Sequence, residues 1–532
     1  MDGQPTLQRN QADELEIARL LFDPTHYVNT YRTALENQDP FDHYMRDGWR
    51  IGFNPNPYFD TAHYLAANPD VAAAGVNPLW HFAVTGAAEK RSSVRRAPKP
   101  LRSVALAAQP PSERARHYGA VADRRDPIGP DALEVMLARA QAEAGSGLVI
   151  SASHDRYRQV TGGVQSLIVD EEVALRAQGV SYLHLAPASP VPLLAAPDAC
   201  TFTLTLNARD AGVMKLEGLL EVLRRTERRW PFRRLVVHHF MGHSPESLAA
   251  VAAAVGPESP IVWTHDFFTL CPSYALLRND IVFCDGPHPA SSACNVCVYS
   301  TDRQTHLRRI SDFFAVLKPH IVAPSASALE FWRSRAPYMH ASAQVVPLGK
   351  LEPGEARPAP LVRRADGTLR VAFIGVPTTH KGWHVFEALA HRHFDDPRYR
   401  FFAFGAWSEG GRGIQHVRVQ VGPDSRDAMV EALEEHGIDV VVNWTLCHET
   451  FSFTTLEALA AGCFLVVRPR AGNVWPQVSA LGPRHGVALE SELELRALFV
   501  SGALIEAAQQ ERAGGRILRS SGSADLLRQV AA

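Results

Sequence analysis

The chain has 532 residues, of which 46% are hydrophobic and 21% charged, so it can bury several cores and is not globally disordered. Its 54 basic and 56 acidic residues give a formal net charge of −2, which argues against a dedicated nucleic-acid binder. Its apolar stretches are far shorter than the ~20 residues that cross a bilayer. The polar N-terminus lacks the features of a secretory signal, so we expect a cytoplasmic protein whose cysteines are thiols or metal ligands.

The first segment, residues 1–95, contains an internal repeat. The matching pairs are Phe22 and Phe59, Asp23 and Asp60, His26 and His63, Tyr27 and Tyr64, Pro40 and Pro78, His43 and His81, Tyr44 and Phe82, and Gly48 and Gly86. Each copy predicts two short helices, with Asp23 and Asp60 as N-caps and the aromatic residues on the buried face. Residues 96–146 are rich in Arg and Pro and predict a linker with one helix. Their basic run could contact anionic lipid, but we favour a solvated linker.

From residue 147 onward, short apolar runs alternate with helix-length segments. This pattern predicts buried parallel strands, and it occurs in two blocks, 147–348 and 370–532, joined by a Pro-rich and charged linker at 349–369. The predicted architecture is therefore two doubly wound α/β domains after a small helical repeat domain. Ligands of such folds bind at the carboxyl ends of the strands, which here means the cleft between the two domains.

The segment HETFSFTTLEALAAGCFLVV, residues 448–467, carries the most informative motif. It predicts a loop and a helix between two buried strands, and the amides at the start of that helix suit an anion such as a diphosphate. Those amides belong to Phe451, Ser452, Phe453 and Thr454. Glu449 and Glu457 bracket this point and could bind hydroxyls on either side of a diphosphate, as in a nucleotide sugar. Spacing alone leaves open that Glu457 only stabilises the helix dipole and that Glu449 is a surface charge.

The same segment resembles the signature of retaining nucleotide-sugar glycosyltransferases of family four, which have the two-domain GT-B fold. The matching residues are Glu449, Phe451, Ser452, Glu457, Ala458, Leu459, Ala460 and Gly462. The resemblance implies that Glu449 faces the donor sugar and that Glu457 binds the ribose, although Ser452 replaces the family's usual glycine. It also implies that Lys381, in the segment FIGVPTTHKGW, binds the diphosphate, while the family's arginine in that segment is replaced by Val376.

Two further features match the N-terminal domain of that family. Gly162 and Gly163 precede a predicted helix and resemble the family's Gly-Gly loop, although a plain turn is the commoner cause of such a pair. His265 follows a predicted strand at the place where the family often has a histidine close to the transferred sugar. An arginine cluster between Arg224 and Arg234 could bind an anionic acceptor or a membrane surface, but we favour an ordinary solvated helix face.

Four cysteines form a separate cluster in the sequence. They are Cys271, Cys284, Cys294 and Cys297, with the spacing C-x₁₂-C-x₉-C-x₂-C. A terminal C-x₂-C is a common metal-chelating element, and four thiolates form a closed structural zinc site. A redox disulfide, an iron–sulfur cluster and unpaired buried thiols are the alternatives, and we favour zinc.

Together these features predict a glycosyltransferase that moves a sugar from a nucleoside-diphosphate sugar to a glycan, lipid-linked or protein acceptor. Catalysis is assigned to Glu449, His265 and Lys381, and no catalytic divalent metal is expected. The N-terminal repeats resemble those beside bacterial polysaccharide glycosyltransferases, a resemblance that by itself implies no chemistry. We expect synthesis of a cell-surface polysaccharide or glycoconjugate in the cytoplasm, and peripheral contact with the inner membrane face is left open. The main alternative is a catalytically inactive GT-B scaffold that recruits a partner through the repeats. A nucleotide-sugar epimerase of the same fold is disfavoured by the two glutamates.

Overall fold

A computed structural model describes residues 11–31, 35, 38–56, 59–93, 111, 122–143, 145–160, 162–198, 201–357, 367–407, 413–422 and 424–531. The chain divides into two compact units, Met1–Ala105 and Leu106–Ala532. Of the predicted basic run, residues 89–102, positions 94–102 lie outside the described residues.

The first unit is helical. Its helices are Gln11–Leu20, Pro24–Tyr31, Pro40–His43, Thr61–Ala67, Pro69–Ala74 and Pro78–His81, with π-helical turns at Tyr44–Gly48 and Phe82–Gly86. The carboxylate of Asp23 accepts a hydrogen bond from the His26 amide at 2.9 Å, and Asp60 accepts from the His63 amide at 2.9 Å. Both aspartates therefore satisfy amides at a helix start, as predicted.

A buried tyrosine–histidine pair explains the repeated spacing. The Tyr27 hydroxyl lies 2.8 Å from Nδ1 of His43, and in the second copy Tyr64 lies 2.9 Å from Nδ1 of His81. A Cβ atom added at Gly48 would lie 2.0 Å from the Tyr27 hydroxyl, and the second copy gives 2.1 Å at the equivalent glycine. The repeat therefore conserves a tyrosine, a histidine and the glycine that leaves room for both, which is a packing motif.

The second unit begins with an eight-stranded sheet. The strands in this part of the chain are β1 (Gly147–Ala152), β2 (Val180–Pro187), β3 (Thr201–Leu206), β4 (Arg209–Lys215), β5 (Arg233–Val237), β6 (Ile261–Trp263), β7 (Leu277–Arg278), β8 (Val282–Phe283), β9 (His320–Ala323) and β10 (Ser342–Val345). The sheet order is β10-β9-β6-β5-β1-β2-β3-β4, and β7 with β8 forms a separate hairpin. Pairing is parallel from β10 to β2 and antiparallel from β2 to β4.

Helices cover both faces of this sheet. They are Pro130–Glu143, Gly163–Ala177, Leu216–Arg225, Pro245–Val255, Ser300–Leu317 and Ala326–Arg335. In β1, Leu148 and Ile150 pack into the core on one face, and Val149 packs into the core on the other. Every residue of β1 is buried, which explains why its sequence is apolar rather than alternating.

A second sheet of six parallel strands follows. The remaining strands are β11 (Gly349–Arg357), β12 (Leu369–Ile374), β13 (Tyr399–Gly405), β14 (Ile414–Arg418), β15 (Val440–Asn443), β16 (Phe464–Val467), β17 (Gly486–Ala488) and β18 (Arg512–Arg519). The order is β14-β13-β12-β15-β16-β17, and β11 pairs with β18 in an antiparallel ribbon. The helices are Trp383–Arg392, Ala428–Glu435, Phe453–Ala460, Val474–Ser479, Glu492–Ser501, Ala503–Ala508 and Ser523–Ala531. Two Rossmann-like sheets after a helical repeat domain confirm the predicted fold class.

The structure differs from three predicted boundaries. The first nine residues of the predicted linker 349–369 form β11, because they pair with β18. The helix Pro130–Glu143, placed in the linker 96–146, buries Leu133 and Leu137 in the core of the first sheet. The C-terminal helix, assigned to the second α/β domain, instead packs Ala524 and Leu527 into the core of the first.

Candidate functional site

The candidate site of the second sheet lies where the strand order reverses. β12 pairs with β13 on one side and with β15 on the other, so the loops after β12 and β15 leave a crevice at their carboxyl ends. The loop after β12 ends in a single 3₁₀ turn, Thr379–Lys381, and the loop after β15 leads to the helix Phe453–Ala460. The sheet topology therefore brings Lys381 and Glu449 to one edge although they are far apart in sequence.

Lys381 and Glu449 form an ion pair at this edge. Nζ of Lys381 lies 2.6 Å from Oε1 of Glu449, and the Thr445 hydroxyl donates to the same oxygen at 3.0 Å. The side chains are 33% and 11% exposed. Burial alone would lower the pKa of Lys381, but the negative charge of Glu449 outweighs burial and raises this pKa. Burial alone would raise the pKa of Glu449, but the positive charge of Lys381 outweighs burial and lowers it. Both groups are therefore charged at neutral pH.

The loop that carries Glu449 is attached to the first α/β domain. The Thr450 hydroxyl donates to the backbone carbonyl of His265, and the Ser325 hydroxyl donates to the carbonyl of Thr450 at 2.7 Å. On its other side, the amide of Asn473 donates to the Glu449 carbonyl at 2.8 Å. These bonds fix the position of Glu449 between the two sheets.

The predicted anion-binding residues gather at the start of the helix Phe453–Ala460. The Ser452 side chain is its N-cap and accepts a hydrogen bond from the Thr455 amide at 3.2 Å. A Cβ atom added at Gly375, which follows β12, would lie 3.4 Å from the Thr454 side chain. One added at Gly163 would lie 3.3 Å from the Phe453 ring. The Gly-Gly loop of the first domain, Gly162 and Gly163, therefore lies against this helix start through Gly163.

Phe451 and Phe453 pack rather than point freely into the crevice. Their rings lie 5.1 Å apart, and both side chains contact the core of the first α/β domain. Phe451 also contacts the core of the second domain. Any contribution of these two residues to an anion site is therefore through the backbone.

Glu457 is buried beneath the helix start, with 6% of its surface exposed. Burial raises its pKa to about 7, partly offset by the positive charge of Arg519 and reinforced by Asp427. Arg519 itself lies 5.4 Å from the centre of the Phe453 ring. Glu457 is thus a carboxyl group that changes charge close to neutral pH and does not behave as an ordinary surface acid.

His265 lies in a buried network that the sequence did not reveal. Its Nε2 lies 3.1 Å from Nδ1 of His238, and Nε2 of His238 lies 3.1 Å from Oε1 of Glu171. His238 follows β5, His265 follows β6, and Glu171 lies on the helix Gly163–Ala177. The strand-end position of His238, directly after a buried apolar run, was a signal that could have identified it.

A second polar cluster missed by the sequence analysis lies at the carboxyl ends of β1 and β5, where the order of the first sheet reverses. Nε2 of His239 lies 2.7 Å from Oδ2 of Asp266, and the rings of His154 and His239 are 4.6 Å apart. Burial lowers the pKa of His154 to about 3 and raises that of Asp155. The neutral ring of His154 and the carboxyl oxygens beside it are suited to bind hydroxyl groups.

A cavity of about 900 Å³ adjoins the Glu449 loop and is large enough for a small ligand. Residues of both α/β domains line it: Ile281, Val282, Phe283, Asp285, Ser327, Phe331, Leu446, His448, Arg468, Pro469, Arg470, Gly472, Trp475 and Pro476.

At the position of the family's arginine, Val376 is 64% exposed. The second positive charge that the resemblance implies is therefore missing at that position.

The four cysteines of the predicted zinc site come together around one small cavity of about 20 Å³, together with Arg303. Nη1 of Arg303 lies 2.8 Å from Sγ of Cys294, and burial raises the pKa of Cys271 to about 12. Throughout the described part of the chain, no group of three or more His, Cys, Asp or Glu side chains is placed to hold a metal ion. The cysteines thus cluster as predicted, but their sulfurs do not form a ligand set.

The arginine cluster forms ion pairs with its own domain. Arg225 pairs with Glu221, Arg229 pairs with Glu134, and Nη1 of Arg234 lies 2.9 Å from Glu258. Arg225 and Arg229 therefore fit an ordinary surface, whereas Arg234 is buried in β5 and does not lie on the predicted helix face. Among the described residues, no helix combines the length and the apolar character needed to cross a membrane.

No protein-family model matches the sequence, and no curated protein matches it. Solved structures do align with the chain. Sucrose-phosphate synthase from Thermosynechococcus elongatus is 12% identical, with a TM-score of 0.43 over 68% of this chain and 91% of that chain. HepE of Anabaena, in complex with UDP and glucose, is 12% identical, with a TM-score of 0.40 over 72% of this chain and 95% of that chain.

A third aligned structure is WaaG, described as a glycosyltransferase involved in lipopolysaccharide biosynthesis. It is 13% identical, with a TM-score of 0.38 over 68% of this chain and 94% of that chain. Identities and TM-scores this low carry no argument about function. The fold class rests on the strand order of the two sheets.

Proposed function

We propose that the Leu106–Ala532 unit is a nucleotide-sugar glycosyltransferase that transfers a sugar from a nucleoside-diphosphate sugar to a glycan, lipid-linked or protein acceptor. The observation that carries this proposal is the charged pair of Lys381 and Glu449 at 2.6 Å, at the strand-order reversal of the second sheet. A lysine, a helix N-terminus and two carboxyl groups at that edge match the parts of a nucleotide sugar. Family four membership and retention of configuration are part of the proposal and rest on the motif resemblance.

In this proposal, donor binding changes the partner of Lys381. The ammonium group is charged and already lies at the crevice, so an entering diphosphate competes with Glu449 for it. Once released, the Glu449 carboxylate faces the sugar and stabilises the positive charge that develops there. Lys381 and the amides at the start of the helix Phe453–Ala460 stabilise the departing diphosphate. Glu457 binds the ribose in this account, and Gly162 and Gly163 let the backbone of the first domain approach the ligand.

We also propose that the cysteine cluster binds one structural zinc ion. Four thiols around one cavity support this, and binding would draw their sulfurs toward a common centre. A cytoplasmic location and a role in polysaccharide or glycoconjugate synthesis complete the proposal.

The test is a panel of UDP-glucose, UDP-galactose, UDP-N-acetylglucosamine, GDP-mannose and ADP-glucose, with released diphosphate as the readout. We expect one donor to release diphosphate through slow transfer to water, and Lys381→Ala to slow that release by at least about tenfold. The matched control is Lys350→Ala, because Lys350 is an exposed lysine of the same unit. Donor turnover that is equal in wild type and Lys381→Ala would contradict the assignment.

A catalytically inactive scaffold is the second candidate. The exposed Val376 at the position of the family's arginine favours it, because it removes one charge from the proposed diphosphate site. The same panel separates the two: a scaffold binds a donor, measured by calorimetry, but releases no diphosphate from any member of the panel.

A further inference from the structure

A chain of buried hydrogen bonds links the C-terminal helix to His265. The amide of Ser523 donates to Oε2 of Glu171 at 2.6 Å, and the Tyr182 hydroxyl donates to Oε1 at 3.0 Å. Glu171 then contacts His238, which contacts His265. Glu171 and the His238 side chain are completely buried. One buried carboxylate therefore joins β2 and the C-terminal helix to the two histidines at the strand ends.

Resting on the function proposed above, we infer that Glu171 and His238 are positioning residues that hold the ring proton of His265 on Nε2. Its Nδ1 is then a hydrogen-bond acceptor for a hydroxyl group of the bound sugar. This Nδ1 is buried and has no hydrogen-bond partner among the described residues. Buried polar atoms are normally hydrogen-bonded, so the unpartnered nitrogen of this ring, which is nine-tenths buried, can gain its partner from the bound ligand.

The direction of each hydrogen bond follows from the chemistry of the groups. A carboxylate only accepts, so the contact between Glu171 and His238 requires a proton on Nε2 of His238. Glu171 is buried, but hydrogen bonds from Nε2 of His238 and from the Ser523 amide keep its carboxyl group ionised and its pKa below the usual value. Burial lowers the pKa of His265 far below its usual range, so that ring is neutral and carries one proton.

Two arrangements of that proton are conceivable. With the proton on Nε2, His265 donates to Nδ1 of a neutral His238. The unpartnered Nδ1 of His265 then carries only a lone pair. With the proton on Nδ1, a buried N–H group has no acceptor, and His238 must carry a second proton to make the contact. The second arrangement leaves a polar hydrogen unsatisfied and buries a cation, so the first is favoured. The Ser–His–Asp triad orients its histidine through a carboxylate in the same way.

Aromatic stacking fixes the ring plane. The His265 and Trp263 rings are stacked, with centres 4.8 Å apart and planes 7° apart, and Nε1 of Trp263 donates to the Ser523 hydroxyl at 2.9 Å. The His238 and His265 planes differ by 8°. The ring therefore cannot turn to exchange its nitrogens without breaking contacts on two sides.

The direct test is a neutron crystal structure of the wild-type chain, which locates the ring protons and needs neither a ligand nor a variant. We expect the proton of His265 on Nε2 and an unprotonated Nδ1. A proton on Nδ1 of His265 overturns the inference. If no donor of the panel turns over, the proposed function fails, while the proton positions still decide this inference.

The functional test compares Glu171→Gln with Glu172→Gln. Glu172 is the neighbouring carboxyl group and is equally buried, but it accepts from the Tyr157 hydroxyl at 2.8 Å and pairs with Arg158. With the panel donor that releases diphosphate fastest, we expect Glu171→Gln to lower kcat about tenfold or more with little change in donor KM. Glu172→Gln should lower thermal stability and leave kcat near wild type. Equal kcat values for the two variants overturn the positioning role.

Discussion

At the scale of single residues, the environment of Glu457 has a consequence for stability. Its carboxyl group is buried beside Asp427 and is only partly compensated by Arg519, so its pKa in the folded protein is about 7, against 4.5 for an ordinary glutamate. Between these two values the folded state binds more protons than the unfolded state does. The stabilisation from this raised pKa is therefore complete below about pH 4.5 and is lost as pH rises through about 7.

We therefore predict that Glu457→Gln gains stability relative to wild type as the pH rises from about 4.5 to about 7, because glutamine cannot ionise. The relative gain should approach about 3 kcal/mol and stay constant above pH 7. Denaturant unfolding of both proteins across this range measures it. Glu431→Gln, an exposed change on the helix Ala428–Glu435, is the control and should show no such trend. A difference that does not vary with pH would contradict a pKa near 7.

Gly382 positions Lys381 through a backbone conformation that other residues rarely adopt. Its φ is +75°, and an added Cβ atom would lie 2.0 Å from the carbonyl oxygen of Trp444. Gly502 also has a positive φ, +80°, but there the nearest atom to an added Cβ is the end of the flexible Arg398 side chain, at 3.2 Å. Alanine substitutions at the two glycines therefore distinguish the cost of backbone strain, which both share, from the cost of the steric clash at Gly382.

We predict that Gly382→Ala costs about 3 kcal/mol or more of the free energy of unfolding, because strain and overlap add. Gly502→Ala should cost only the strain, about 1 kcal/mol. Thermal or denaturant unfolding measures both variants. Equal losses would show that the contact with the Trp444 carbonyl relaxes freely and does not fix the Lys381 turn.

At the scale of elements, the sequence predicts the buried parallel strands well. The apolar runs at β1, β2, β5, β6 and β9 and at β12, β13, β15 and β16 form strands, because a strand covered on both faces must be largely apolar. The expected strand at β14 also forms, as a partly exposed edge strand with alternating polar residues. The hairpin β3–β4 was missed, although the alternation in TFTLTL and the turn at Asn207 and Ala208, both with positive φ, were usable signals. β11 was missed because its pairing partner, β18, is distant in sequence.

In the candidate site, too, local sequence predicts some residues, while contacts between distant residues escape it. The motif resemblance proposes Glu449, Glu457 and Lys381 as site residues from short local segments, and their roles stay predictions. The Glu171, His238 and His265 network and the pairing of Lys381 with Glu449 depend on which strands are neighbours. Their partners are separated by 67, 27 and 68 positions, so no local pattern contains them.

The cysteine loop between β6 and the helix Ser300–Leu317 is an element with little core of its own. We predict close to one zinc ion per chain by elemental analysis, because clustered thiols bind zinc tightly. Cys294→Ser should reduce the zinc content and the thermal stability. Cys463→Ser, at a buried cysteine outside the loop, should keep the zinc. Zinc-free protein with unchanged stability would contradict the metal site and leave the loop held by Arg303 and packing alone.

At the scale of the whole molecule, the chain divides at Ala105 into a helical unit and an α/β unit. The first unit buries its aromatic residues in a core of its own, and its tyrosine–histidine pairs are packing contacts. We predict that a chain beginning at Leu106 keeps the donor turnover of the full chain. Further shortening should stop at Asp123, because Asp123 accepts a hydrogen bond from Thr203 in β3.

Diphosphate release by the shortened and the full chain, with the same panel donor, measures this prediction. Loss of donor binding in a shortened chain that is folded by circular dichroism would place the repeats in the site. Loss of transfer to an added acceptor, with release to water unchanged, would instead assign the repeats to acceptor recruitment.

In the proposed mechanism, Glu449 acts on the sugar at the transition state and Glu457 acts on the bound nucleotide. The most direct measurement is single-turnover diphosphate release, beside calorimetric titration with the nucleoside diphosphate, for wild type, Glu449→Gln and Glu457→Gln. Glu449→Gln should lower the release rate strongly, about tenfold or more, with nucleotide affinity nearly intact. Glu457→Gln should chiefly weaken nucleotide binding, by roughly ten- to 150-fold. A normal release rate in Glu449→Gln would contradict the account.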